Sequence, residues 1–349
     1  MSTISVLSDR LYYQTWTLPP LRFLYFNVVQ SLAAFYGTNR RDYYLTEGLP
    51  LLLTTTLPFA AVGLWQALRA SPNRHSRTAS NSRISQSILR TFAWTVIVVI
   101  LVLSVISHKE VRFIYPLLPL LHILSAAPLS TFFRPFPPRT ATKKILLAAL
   151  LALNLSLALY ATQVHQRGVI DVLGFLRRQH ERQLQQHLAP SLRNVSVSDT
   201  TVAFLMPCHS TPWRSHLVHP GIKAWALTCE PPLDVPAAAR GAYMDEADVF
   251  YADPEGWLRR HMEGVSKVGG SGAHQDGGSV SGQGRGDGGE QGRAWPQYLV
   301  FFEQLEGAVG RVLAGSRFRE CWRGFNSHWH DDWRRKGDVV VWCREDGPA

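Results

Sequence analysis

Cysteine is scarce in this 349-residue chain and confined to its last part: Cys208, Cys229, Cys321 and Cys343 are all there is. None stands in a CxxC pair, which excludes the usual structural zinc arrangement of closely spaced thiolates. Acidic residues are outnumbered, 26 against 36 Lys and Arg, for a formal net charge of +10. That imbalance is local. Arg69, Arg74, Arg77, Arg83 and Arg90 occupy residues 69–90 without one acidic residue, and Arg134, Arg139, Lys143 and Lys144 occupy 134–144 in the same way. Nine basic residues concentrated in two short loops, with no zinc-finger or RNA-binding signature, exclude nucleic acid as the partner of that charge. The opening MSTISVLSDRLYYQTW lacks a basic start followed by an apolar run, so it does not read as a signal peptide.

Charge is missing altogether from four windows, residues 48–68, 91–107, 113–133 and 145–164. Each approaches the roughly 20 apolar residues needed to cross a hydrocarbon core about 30 Å thick. Buried helices of ordinary soluble domains average about 11 to 12 residues, so four such windows predict a multi-pass α-helical membrane domain over 48–164. Its helices are expected at about 48–68, 88–107, 113–133 and 145–164. The third, with Pro116, Pro119 and Pro128, is expected to be the least regular. The two basic loops should face the cytosol. Four spans then leave residues 1–47, the SHKEVR turn and everything after residue 164 on the opposite, lumenal side.

All four cysteines fall in that last region, where disulfides can form and persist; three pairings are open. Asn194, in NVS, is a glycosylation acceptor on the same side, whereas Asn154, in NLS, lies inside a span. Residues 165–349 are long enough for a core of their own. Short apolar runs at 201–206, 223–229, 248–252, 297–302 and 337–343 read as strands alternating with helical stretches, which predicts a mixed α/β domain. Residues 264–293, almost devoid of apolar side chains, read as a disordered Gly-rich insertion within it.

The densest polar cluster of the membrane part is SHKEVRFIYP, 107–116, wedged between two apolar windows. Ionisable groups at the mouth of membrane helices are costly unless paired, wetted or in use, so Lys109, Glu110 and Arg112 are candidate functional residues. The alternative is a solvated turn with snorkelling cations and a weak Lys109/Glu110 pair. Upstream, FYGTNRRDYYLTEGLP (35–50) leads into the first span; Arg40, Asp42 and Glu47 are candidates to line a cleft, while Tyr43 and Tyr44 read as an interfacial aromatic belt. Two further motifs are weaker. MPCHSTPWRSHLVHP offers Cys208, His209, Ser210 and His216 as a Cys/His nucleophile, but a disulfide at Cys208 fits a lumenal loop better. HWHDDW (328–333) has ligand chemistry for a metal, yet alternating residues of this kind usually form a solvated face.

HKEVRFIYP (108–116), at the membrane end of a hydrophobic helix, resembles the HKE-x-RF signature of glycosyltransferase family 22. These are multispanning mannosyltransferases of the GT-C fold in the endoplasmic reticulum, which take mannose from dolichyl-phosphate-mannose. Residues 9–53, 158–177, 204–220 and 251–258 resemble the branch that adds the third, α-1,2-linked mannose to the glycosylphosphatidylinositol (GPI) anchor precursor. The resemblance implies a mannosyltransferase with a lipid-linked donor and a GPI-precursor acceptor, in the endoplasmic reticulum membrane and without a metal or other cofactor. It implies His108, Lys109 and Arg112 as donor phosphate-binding residues, Glu110 as the residue orienting them, and Arg40, Asp42 and Glu47 in the acceptor or donor cleft. Members of the family also carry an amino-terminal part with further spans and an acidic first lumenal loop that supplies the catalytic base. Nothing in this sequence corresponds to it, so the resemblance is to an amino-terminally truncated form with the base outside the chain. Two alternatives stay open: a mannosyltransferase of N-glycan precursor assembly, and an inactive membrane fragment whose lumenal domain binds partners.

Overall fold

The computed structural model describes residues 2–30, 32–69, 79–187, 199–233, 235–263 and 292–345. Arg74, Arg77, Asn194 and all but the last two residues of the Gly-rich insertion lie outside the described residues. The chain forms two compact units, one of residues 1–158 with 231–242 and one of residues 159–230 with 243–349.

The first unit is helical. It opens with α1 (Ser2–Tyr13) and α2 (Pro19–Leu24), and among the described residues four helical segments are long and apolar enough to cross a membrane: Tyr44–Arg69, Ile84–Val105, Val111–Phe133 and Ala141–Gln163, the last running on into the second unit. The second belongs to α5 (Ala79–Val105), and the fourth is α7 (Ala141–Gln163). The third opens with a 3-10 segment, Val111–Leu117, before α6 (Leu118–Phe133), because Pro116 and Pro119 deny it regular hydrogen bonds. The first segment is at least as irregular, which the sequence reading had not anticipated. A π turn, Tyr44–Gly48, leads into α3 (Leu49–Leu53), a 3-10 turn at Thr54–Thr56, and then α4 (Leu57–Arg69).

Inside a bilayer such a break must satisfy its own polar groups. Here Thr54 and Thr56 hydroxyls donate to the Leu53 carbonyl, and Asn154 of α7 receives the Thr54 hydroxyl at 3.0 Å while its amide donates to Thr55 at 2.7 Å. Asn154, unusable for glycosylation within a span, is thus the cross-helix partner of the break. Helices α4 and α6 approach closely because residue 63 is glycine: a Cβ there would sit 1.9 Å from the Leu124 carbonyl oxygen. Ala60, Ala67, Ala93, Val96, Ile114, Leu121 and Leu124 pack around this contact. No residue of α7 is buried.

The second unit is a mixed α/β sandwich. Its sheet has the order β2-β1-β3-β5-β4, with β1 (Thr200–Phe204) parallel to β2 (Ile222–Ala226) and β3 (Tyr298–Phe302), and β5 (Gly337–Arg344) antiparallel to β3 and β4 (Phe318–Ser327). The run at 298–302 is buried throughout, as a strand covered on both faces must be. The amphipathic α8 (Gly168–His187) contributes Val169, Val172, Leu173 and Leu176 to the core on one face. Beyond β1 come the short α9 (Trp213–His216) and then α10 (Glu246–Ala252), α11 (Pro254–His261) and α12 (Glu306–Val312), whose apolar residues fill the other core around Trp257 and Phe250.

The run at 248–252 is a helix rather than the expected strand. Asp245 caps it by accepting from the Asp248 N–H at 2.7 Å, and Ala247, Phe250 and Tyr251 fall at helical spacing on the buried side. Strand β4 was not read from the sequence because its FRECWRGFNS is an edge strand with exposed charges and two register shifts. Of the three open cysteine pairings, the structure has Cys208–Cys229, joining the segments that follow parallel neighbours β1 and β2, and Cys321–Cys343, joining β4 to β5.

Candidate functional site

The SHKEVR turn links α5 to the 3-10 segment of the third span, and its Val111 and Arg112 are the first two residues of that segment. It does not stand alone. Asn39 of the upstream loop clamps it with three hydrogen bonds: Asn39 N–H donates to the Ser107 carbonyl at 3.0 Å, Asn39 Oδ1 accepts from the Lys109 N–H at 2.7 Å, and the Asn39 carbonyl accepts from Lys109 Nζ at 3.3 Å. Asn39 carries no signal in the sequence beyond standing directly before the charged run Arg40–Asp42.

Within the turn, Glu110 is the hub. Its Oε1 accepts from Arg112 Nη2 at 2.7 Å and lies 2.9 Å from His108 Nε2, and its Oε2 contacts Arg112 Nε. Burial alone would raise the Glu110 carboxyl, but the hydrogen bonds from His108 and Arg112 outweigh it and hold the group below its ordinary value. A carboxylate gripped from both sides orients its partners and is a poor proton acceptor. The His108 ring meets Phe113 edge-on at 6.1 Å. Arg112 reaches outward, its side chain 68 % exposed.

Lys109 does the opposite. The residue is 3 % exposed, and among the described residues no carboxylate lies within 4.0 Å of its ammonium. Burial, with the charge of Arg41 adding to it, pushes the Lys109 pKa below its ordinary value. A buried ammonium held by one carbonyl is an expensive arrangement.

Beside this turn, Arg40 gathers the other candidates into one exposed group, with Nη2 3.2 Å from Glu47 Oε1 and 3.1 Å from the Thr46 hydroxyl, and Nε 3.5 Å from Asp42. The structure therefore brings His108, Lys109, Glu110 and Arg112 together, and ties them through Asn39 to the loop that carries Arg40, Asp42 and Glu47. Tyr43 and Tyr44 do not form a common interfacial belt: Tyr44 is fully buried, its ring edge-on to Tyr43 at 5.5 Å and pressed against Gly48.

The weaker motifs dissolve. Cys208, His209 and Cys229 have ligand atoms within 4.8 Å of one another, but both sulfurs are spent in a disulfide, which leaves neither a thiolate nucleophile nor a thiolate ligand. In HWHDDW, His328 Nδ1 pairs with the Tyr160 hydroxyl at 2.7 Å, His330 Nδ1 accepts from the Asp332 N–H at 3.0 Å, and Asp332 holds Arg334 and Arg335. The turn is hydrogen-bonded, and it keeps His328, Trp329, Asp331 and Trp333 exposed, as the expected solvated face requires.

Residues 1–218 match the Alg9-like mannosyltransferase family, a region that takes in the whole helical unit up to α7 and the polar turn. The chain belongs to that family. Proteins similar to it include the GPI mannosyltransferase 3 of Aspergillus fumigatus, 48% identical over 97% of this chain and 45% of the relative. That of Emericella nidulans is 49% identical over 97% of this chain and 51% of the relative. The GPI alpha-1,2-mannosyltransferase 3 of Homo sapiens is 32% identical over 93% of this chain and 47% of the relative. The chain thus spans about half the length of the curated relatives it matches. No solved structure matches it.

Proposed function

We propose that this chain carries the donor phosphate-binding part of a mannosyltransferase that moves mannose from dolichyl-phosphate-mannose to the GPI-anchor precursor in the endoplasmic reticulum membrane. The names of the fungal and human relatives support the acceptor. The observation that carries the site is the buried Lys109 ammonium beside a carboxylate already committed to His108 and Arg112. A cation left without an anion in a water-poor place is suited to an anion that arrives with the substrate.

In the transfer, an acceptor hydroxyl attacks the anomeric carbon of the mannose, a carboxylate takes its proton, and the bond from that carbon to the dolichyl phosphate oxygen breaks. Negative charge gathers on the departing phosphate. Arg112 meets it as a planar double donor and His108 and Lys109 as further donors, while Glu110 keeps His108 and Arg112 aimed. These cations supply the charge, so the proposed step calls on no metal. The base is not one of them, since Glu110 is fully engaged. Arg40, Asp42 and Glu47, on the loop clamped to the turn, are the candidates to line a cleft for acceptor or donor.

The two acid-free basic loops, which fit the cytosol, and the disulfides of the α/β unit support a lumenal side for the site. Arg112→Ala in a chain competent to rescue a strain lacking the third-mannose transferase is expected to cut transfer on the order of 10²-fold at unchanged abundance. In a strain that has lost the gene for this chain itself, the lipid-linked intermediate that accumulates should be the GPI precursor with two mannoses. Accumulation of an N-glycan precursor instead would refute the acceptor, and abundance falling in step with activity would refute the site.

A further inference from the structure

The fourth span ends at Gln163, and the chain around that end is built from rings. Tyr160 stacks on Trp329 at 5.5 Å and 10°, and His165 stacks on the same indole at 5.6 Å and 26°. His328 joins through the Tyr160 hydroxyl at 2.7 Å, and Phe325 packs on His328 at 4.6 Å. The backbone repeats the link: Gln166 N–H donates to the Asn326 carbonyl at 2.7 Å, and Val169 N–H to Asn326 Oδ1 at 3.3 Å. The segment that leaves β4 is therefore fixed to the exit of the helix at two levels.

Tyr160 is three residues inside the apolar span, about 4.5 Å from its end at 1.5 Å per residue. That puts Tyr160 at the boundary of the hydrocarbon, and a ring stacked on it at 5.5 Å lies within one headgroup-layer thickness, roughly 5 to 7 Å, of that boundary. Trp329 is nevertheless 60 % exposed and Phe325 40 % exposed. Tryptophan and tyrosine are favoured at that level, where an apolar ring with a polar tip is wetted at one edge only. Continuity with the span thus names the occupant of this surface: we infer that Phe325 and Trp329, at the end of β4, form a lipid-facing platform that rests in the headgroup layer beside the end of the fourth span.

The test uses the full chain in phosphatidylcholine vesicles. Subtracting the emission of Trp329→Phe from that of the unaltered chain isolates Trp329. Its emission is expected to be quenched several-fold more by a lipid nitroxide near the headgroup than by one at the acyl terminus or by aqueous iodide. Dominant quenching by iodide, or by the deep nitroxide, overturns the inference. Should Trp329→Phe perturb folding, a shallow carbene-generating lipid applied to the unaltered chain is expected to leave adducts on residues 325–329. Adducts on 141–163 with none on 325–329 also overturn it.

Discussion

At the scale of single residues, the charged turn separates stability from function in a way that can be measured. Lys109 occupies a nearly water-free position with one carbonyl partner, so its charge costs the fold more than it returns. Lys109→Met is expected to leave the thermal midpoint of the purified chain unchanged or higher, while mannosyl transfer in the rescue assay falls by more than 10-fold. A lowered midpoint together with lost transfer would mark Lys109 as structural. The identities of the charged residues were legible in the sequence because ionisable side chains at a membrane boundary need a reason to be there. Their directions were not: nothing in HKEVR tells that Lys109 turns inward while Arg112 turns outward, because that is decided by Asn39, some 70 residues away.

At the scale of elements, two contacts carry sharp expectations. Gly63 sits where α4 meets the backbone of α6, with no room for a Cβ. Gly63→Ala should push the helices apart and lower stability by about 1 to 3 kcal/mol, read as the midpoint of unfolding in detergent. In the α/β unit, α8 is fixed to β1 by His180, 3 % exposed, whose Nδ1 lies 2.8 Å from the Thr200 hydroxyl, while that hydroxyl donates to Gln183. Burial and then the neighbouring His219 lower the His180 pKa, against the opposing pull of Asp199 and Glu181. Folding therefore favours the neutral ring. Its contribution is present above the unfolded value of about 6.5 and is lost as pH falls below it toward the lower folded value. The thermal midpoint of the unit should drop as pH falls below about 6.5, and His180→Asn should flatten that slope. A slope unchanged by the substitution would assign it to other groups. The buried strands β1, β3 and β5 were legible because both their faces demand apolar side chains. Strand β4 and helix α10 were not, since an edge strand need not alternate cleanly and DVFYA carries strand composition that Asp245 overrides with a cap.

At the scale of the whole molecule, length and the absence of charge were enough to place four membrane-crossing segments within a few residues of where they lie. The breaks within them, at Thr54–Thr56 above all, depend on partners such as Asn154 that no local pattern announces. The central claim is one of sidedness: the His108–Arg112 turn and the loop clamped to it face the compartment in which the lipid-borne phosphate is presented. Arg41 is exposed on that loop and all four native cysteines are in disulfides, so Arg41→Cys adds a single accessible thiol. In sealed endoplasmic reticulum vesicles, a membrane-impermeant maleimide should leave that thiol unlabelled until the membrane is opened. Full labelling of Arg41→Cys with the vesicles still sealed would put the turn in the cytosol and contradict the account.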